Sequence, residues 1–285
     1  MTWSERALTV DCAGETLVAV LSLPAQPART GVVIVVGGPQ YRAGSHRQFT
    51  LLARALAGQG VAVLRGDVRG MGDSTGAQRP FDDLSDDVAT LTGAIRDQVP
   101  SLERVVLWGL CDGASAALLY LSGNAQTDID GLVLVNPWVK TPKLEARARL
   151  KHYYLARITQ ADFWRRLLTG RIGADALSSV AQSMRLSAGQ GAASTSTAPS
   201  ASESFTARMG RAAQSFRRPI LLLLSGQDQT AREFLEFVKI SKSWQTVLAR
   251  PATRRIDVPD ADHTFSDRAG MQFVMQATAE WAITL

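Results

Sequence analysis

Short apolar runs alternate with stretches of helical periodicity along most of this chain. Residues 31–36, 61–64 and 104–108 are too short for helices and rich in β-branched residues, so they read as strands. Stretches with helical spacing follow them in turn, at 49–58, 84–98 and 114–121. The runs are apolar throughout rather than alternating, so both faces of the sheet must be covered, which is the condition of parallel strands joined by helices. Two more buried strands are expected at 131–135 and 219–224, and a weaker one at 254–258 ahead of a C-terminal helix. Residues 8–23 read as an antiparallel hairpin at the sheet edge.

From 138 to 218 the strand signal disappears, and aromatic, Arg-rich sequence of helical character replaces it. The pattern predicts an α/β core from 1–137 and 219–285 with a helical cap inserted at 138–218. Within the insertion, 187–204 is a Ser, Ala, Thr and Gly tract with too few bulky apolar groups to offset the entropy of ordering, so a flexible loop is expected there. No internal repeat is evident.

A chain of 285 residues, 46% of them hydrophobic, can bury such a core as one unit. Its two cysteines, Cys12 and Cys111, match no disulfide or zinc spacing, which suits a reducing compartment and a structural role for Cys12. The N-terminus lacks the apolar core of a signal peptide, and no apolar run is long enough to span a bilayer. A soluble cytoplasmic protein without cofactor or metal is the expectation. The formal net charge is +5, but 138–218 holds 14 Lys and Arg against 4 Asp and Glu, a formal +10 that leaves −5 on the remainder. Such a field suits an anionic substrate or partner, such as a CoA thioester, an acidic acyl-carrier protein or an anionic saccharide. Solvated helix faces explain the charge as well. Nucleic-acid binding is not expected, because no recognition motif accompanies it.

The chemistry concentrates at Gly109-Leu110-Cys111-Asp112-Gly113, a Gly-x-nucleophile-x-Gly pentapeptide between a strand and a helix. Small flanking residues permit a sharp turn, and the helix start offers N–H groups and a positive dipole end to a sulfur and an oxyanion. Asp112 opposes this by setting a carboxylate beside the sulfur. A thiol nucleophile needs a base, and of the three histidines, His46, His152 and His263, the last lies between the final strand and the C-terminal helix. Asp228, directly after the strand 219–224, is the preferred acid, giving the chain order nucleophile, acid, histidine. Asp262 competes, but its adjacency to His263 suits a loop role better, and the other position for an acid holds Asn136. Oxyanion donors are expected from Gly38 and from the N–H of Asp112. His46, just past the Gly37-Gly38 turn, Gln40 and Trp138 are candidates for substrate contact.

Together, Gly37-Gly38-Pro39-Gln40, Gly66-Asp67-Val68-Arg69-Gly70-Met71-Gly72-Asp73-Ser74, the Cys111 pentapeptide, Asp228 and Asp262-His263 resemble the α/β-hydrolase superfamily. More narrowly, 37–49 and 110–115 resemble the type 1 hydrolases associated with the exosortase A system of exopolysaccharide-producing bacteria. The resemblance implies a triad of Cys111, His263 and Asp228, a loop at 66–74 that braces the rim of the site rather than binding phosphate or metal, and a role near polysaccharide or acyl-carrier metabolism. Val36 stands where many relatives carry histidine. The function this implies is hydrolysis of a small-molecule ester or thioester, possible CoA- or acyl-carrier-linked substrates included, through an acyl-cysteine. Two alternatives stand beside it: an acyltransferase using the same intermediate, as in polyhydroxyalkanoate synthases, and a non-catalytic binding protein on a hydrolase scaffold.

Overall fold

A computed structural model describes residues 3–38, 40–123, 128–139 and 203–285. The chain separates into two units, Met1–Val139 with Ser204–Leu285, and Lys140–Glu203; the first is described below. The cap helices and the loop at 187–204 expected from the sequence fall, apart from 203–218, outside the described residues.

The unit is built on one eight-stranded sheet. Its strands are β1 (Trp3–Cys12), β2 (Glu15–Pro24), β3 (Thr30–Val35), β4 (Ala62–Gly66), β5 (Arg104–Leu110), β6 (Gly131–Val135), β7 (Ile220–Ser225) and β8 (Thr253–Val258). They lie in the order β1-β2-β4-β3-β5-β6-β7-β8. β1 and β2 pair antiparallel, β2 joins β4 antiparallel, and every pairing from β4 to β8 is parallel. The helices are α1 (Gln48–Gly58), α2 (Ser85–Gln98), α3 (Asp112–Gly123), α4 (Phe205–Ser215), α5 (Gln229–Ile240), α6 (Lys242–Leu248) and α7 (Arg268–Thr284).

Successive strand residues point to opposite faces, so each apolar run feeds two cores at once. Val33, Val35, Leu107, Leu134 and Leu222 face the layer holding α2, α3, α4 and α6. Val32, Ile34, Val106, Trp108, Val133 and Leu223 face α1 and α7. At about 1.5–3 kcal/mol for each fully buried large apolar side chain, the central strands dominate the stability of the unit. β1 and β8 stand at the sheet edges and show partial or full exposure along most of their length, which is why 254–258 gave the weaker signal.

Two boundaries differ from the sequence reading. The hairpin runs from Trp3 to Pro24, longer at both ends than 8–23, because its rungs continue outward from the turn at Ala13 and Gly14. The core unit resumes at Ser204 rather than 219. There α4 buries Thr206, Met209, Gly210, Ala212 and Ala213, and Met209, Ala212 and Ala213 join the same core as α3 and Trp244.

Because β3 to β8 run in one direction, the loops that follow them meet at one edge of the sheet, where ligands of open α/β sheets are received. Among the described residues, no helix is long and apolar enough to cross a membrane, and no cluster of three or more His, Cys, Asp or Glu side chains could hold a metal.

Candidate active site

Cys111 occupies the turn between β5 and α3. Its backbone is left-handed, with φ 58°, a conformation that costs a non-glycine residue about 1–2 kcal/mol. The surroundings hold it there. Its N–H donates to Val135 O at 2.9 Å, and its carbonyl accepts from the N–H groups of Ala114, Ser115 and Trp138 at 3.1, 3.2 and 3.2 Å. Close approach explains the glycines on either side: a Cβ on Gly109 would lie 2.5 Å from Ala114 N, and one on Gly113 would lie 2.4 Å from Val35 O. The turn therefore presents Cys111 at the sheet edge as a partly exposed residue.

His263 comes from the loop after β8. Its Nδ1 lies 2.9 Å from Asp228 Oδ2, and its ring stands close enough to Cys111 for the sulfur to act on its charge. The bond to Asp228, followed by the neighbouring Cys111, outweighs burial and pushes the imidazole from its ordinary 6.5 up to about 10. Asp228 is buried and is at the same time the N-cap of α5, accepting from Thr230 N and Ala231 N, each at 3.1 Å. Burial opposes its charge, yet the His263 contact and these two backbone donors hold the carboxyl below its ordinary range. The structure thus brings together three side chains, Cys111, His263 and Asp228, from three separate loops.

Asn136 is a part of this arrangement that the sequence reading noted only as the absence of an acid. It is fully buried and left-handed, with φ 44°. Its Oδ1 accepts from Ser225 N at 2.8 Å, and its Nδ2 donates to Ser225 Oγ at 2.8 Å and to the His263 carbonyl at 3.0 Å. One amide thereby ties the ends of β6 and β7 to the histidine loop. A polar residue directly after a buried strand was the available signal. Asp262 folds the same loop, accepting from Thr264 N at 3.1 Å, from Ser266 N at 2.9 Å and from the Ser266 hydroxyl.

Facing the elbow is the turn after β3, where Gly38 has φ 57° and its carbonyl accepts from Gln40 N at 2.9 Å. The segment beyond is braced by buried Asp67, which accepts from Arg42 N at 2.6 Å and Asp73 N at 2.9 Å and pairs with the Arg42 guanidinium. Buried Arg69 and Asp87 clamp the same loop, with Asp87 accepting from Arg69 N at 2.7 Å and Arg69 Nε at 3.0 Å. Asp67 and Arg69 thus spend their charges inside the fold. Gln40 is half-buried on the loop, and His46, exposed and left-handed at φ 39°, reaches the histidine loop with Nε2 3.1 Å from Thr264 Oγ1. Trp138 stands next to the elbow through its backbone, and its ring stacks on Phe205 at 5.4 Å with Phe81 edge-on at 5.1 Å. Burial pushes the Asp112 carboxyl up, against hydrogen bonds from its own N–H and that of Gly113 and the charge of His263.

An elbow residue, a histidine and an acid in this order on this sheet define the α/β-hydrolase fold. The family model described as serine aminopeptidase, S33, matches residues 27–238, and the chain belongs to that family of hydrolases. No curated protein matches the chain. Among solved structures, the chain is similar to the esterase Pf2001 of Pyrococcus furiosus, with 16% identity over 98% of this chain and 91% of that one at a TM-score of 0.65. It is similar to a dienelactone hydrolase from Anabaena variabilis, with 16% identity over 100% and 99% at 0.61. It is also similar to Est1E from Butyrivibrio proteoclasticus, solved with ferulic acid, with 15% identity over 98% of both chains at 0.62.

Proposed function

We propose that this protein cleaves carboxylic esters or thioesters with Cys111 as nucleophile, His263 as base and acid, and Asp228 as the carboxylate that orients His263. One observation carries the reading: a single imidazole, hydrogen-bonded to Asp228, stands beside Cys111. The sulfur attacks the substrate carbonyl with its proton held on His263, and the negative charge passes to the carbonyl oxygen, which the Gly38 and Asp112 N–H groups receive. The tetrahedral species collapses to an acyl-cysteine as His263 returns the proton to the leaving alcohol or thiol. Water, activated by the same imidazole, then releases the acid.

Gln40, His46 and Trp138 stand around this site as substrate contacts. Named esterases among the structurally similar proteins favour an ester, and the positive charge of 138–218 favours an anionic carrier such as CoA or an acyl-carrier protein. A place in exopolysaccharide-linked metabolism rests on the resemblance of 37–49 and 110–115 alone.

The test is intact-protein mass after brief mixing with acyl-CoA thioesters and activated esters, quenched in acid, for wild type and Cys111→Ala. An acyl-sized increment on wild type alone is expected. Turnover by Cys111→Ala at the wild-type rate would overturn the assignment, and ligand binding without any turnover would favour a binding protein. Product analysis with and without a hydroxyl acceptor tells hydrolysis from acyl transfer. Cys111→Ser is expected to lose thioester turnover while keeping some ester hydrolysis, because a hydroxyl needs more help from the base than a thiol does.

A further inference from the structure

The side chain of Asp112 lies where the substrate oxygen has to be received. Its carboxyl folds back over the start of α3, bonded to its own N–H and to that of Gly113. It also lies against the turn after β3: a Cβ on Gly38 would come within 2.6 Å of Asp112 Oδ2, and one on Gly37 within 2.6 Å of Oδ1. A carboxylate at a helix start is ordinarily stabilising. Here it is wedged between the two sets of donors that an acyl-transfer site reserves for a developing negative charge, and it uses one of them.

No Lys or Arg among the described residues is paired with it. The titratable groups facing it are Cys111 on its own turn and His263 from the loop after β8, with His263 already bound to Asp228. The turn after β3 presents only glycine backbone at 37 and 38. Further along that segment Arg42 is engaged with Asp67 and Asp73, His46 with Thr264, and Arg47 is exposed.

We propose that Asp112 gates the oxyanion site: as a carboxylate it occupies the donors and repels the developing charge, and as a neutral acid it donates its O–H to the substrate oxygen. The proposal rests on the acyl-cysteine reading above. In the productive form, sulfur bonds to the carbonyl carbon, and the C=O π pair moves onto oxygen. That oxygen accepts from the Gly38 N–H, the Asp112 N–H and the Asp112 hydroxyl. Collapse restores the C=O and expels the leaving group with the proton from His263, while Asp112 keeps its own proton. Burial pushes this carboxyl above its ordinary range, against the N–H donors and the charge of His263.

Asp112→Asn keeps the shape and a donor but cannot ionise. The test compares wild type and D112N in kcat/KM on a short-chain p-nitrophenyl ester from about pH 5 to about pH 9, with the rate of iodoacetamide alkylation of Cys111 measured alongside. The ratio of D112N to wild-type kcat/KM is expected to rise at least about tenfold with pH through one ionisation and to exceed the accompanying change in the ratio of alkylation rates, which reports only the effect of the carboxylate on the thiol, since alkylation forms no oxyanion. Asp112→Ser, a second neutral side chain with a hydroxyl, is expected to show the same rise. A ratio that is flat in pH, or that moves in step with alkylation, overturns the gate. Acyl-cysteine formation in both proteins keeps that failure separate from failure of the nucleophile. If both hydrolyse the ester and neither acquires an acyl group on Cys111, the acyl-cysteine reading fails and the gate falls with it.

Discussion

Asp228 shows how one side chain can serve folding and chemistry together. Its Oδ2 is shared between Ala231 N, at 3.1 Å, and His263 Nδ1, at 2.9 Å, so capping α5 aims the carboxylate at the imidazole. The two roles separate by substitution. Asp228→Asn retains a capping oxygen but loses the charge that orients the imidazole, so activity is expected to fall about 10³- to 10⁴-fold, with the ion pair's contribution to stability lost and the cap kept. Asp228→Ala is expected to lose activity to the same degree and about 1 kcal/mol of stability as well. Ester turnover and chemical denaturation of both variants check this, and an active Asp228→Asn would remove the acid from the site. The strained Cys111 and Asn136 backbones belong to the same scale, because each is held in place by hydrogen bonds to the ends of neighbouring strands.

At the scale of elements, the site depends on how closely α3 approaches β3. The start of α3 lies directly over the end of that strand, and a Cβ at Gly113 would meet the Val35 carbonyl, a backbone atom in the middle of the sheet with nowhere to move. Gly113→Ala is therefore expected to cost about 2–4 kcal/mol and to displace the elbow. Gly93 gives the contrast: it lies in α2, exposed, with nothing within 4 Å of an added Cβ. Gly93→Ala is expected to stabilise by about 0.5–1 kcal/mol. Denaturation midpoints of the pair decide the point, and equal effects would mean that the close approach is not limiting.

For the whole molecule, the paired charges of the site make stability depend on pH. The His263 imidazole is raised in the folded chain, so the folded state binds its proton more tightly than the unfolded state does. Its contribution is complete below the ordinary 6.5 and disappears as pH rises through about 10. Asp228 works in the opposite sense: its carboxyl is depressed, so its contribution is present above the ordinary 3.8 and disappears as pH falls through the folded value. Unfolding free energies of wild type and His263→Gln, measured from neutral to strongly alkaline pH, are expected to converge as pH rises. A difference that stays constant would place the histidine outside this linkage.

The alternation of apolar runs with helical stretches was enough to specify a parallel sheet covered on both faces, because burial on two sides leaves only a terminal polar residue in strands such as β3 and β7. Chain order and turn position were likewise enough to single out Cys111, Asp228 and His263 as candidates, since loops after parallel strands must gather at one edge. Side-chain direction was beyond the sequence. That the Asn136 amide reaches both Ser225 and the His263 carbonyl, that Asp112 turns its carboxyl onto the Gly37-Gly38 turn, and that α4 packs with the core are contacts between residues far apart in the chain. Such contacts depend on strand order and rotamer, which periodicity does not encode, so only the tertiary structure decided them.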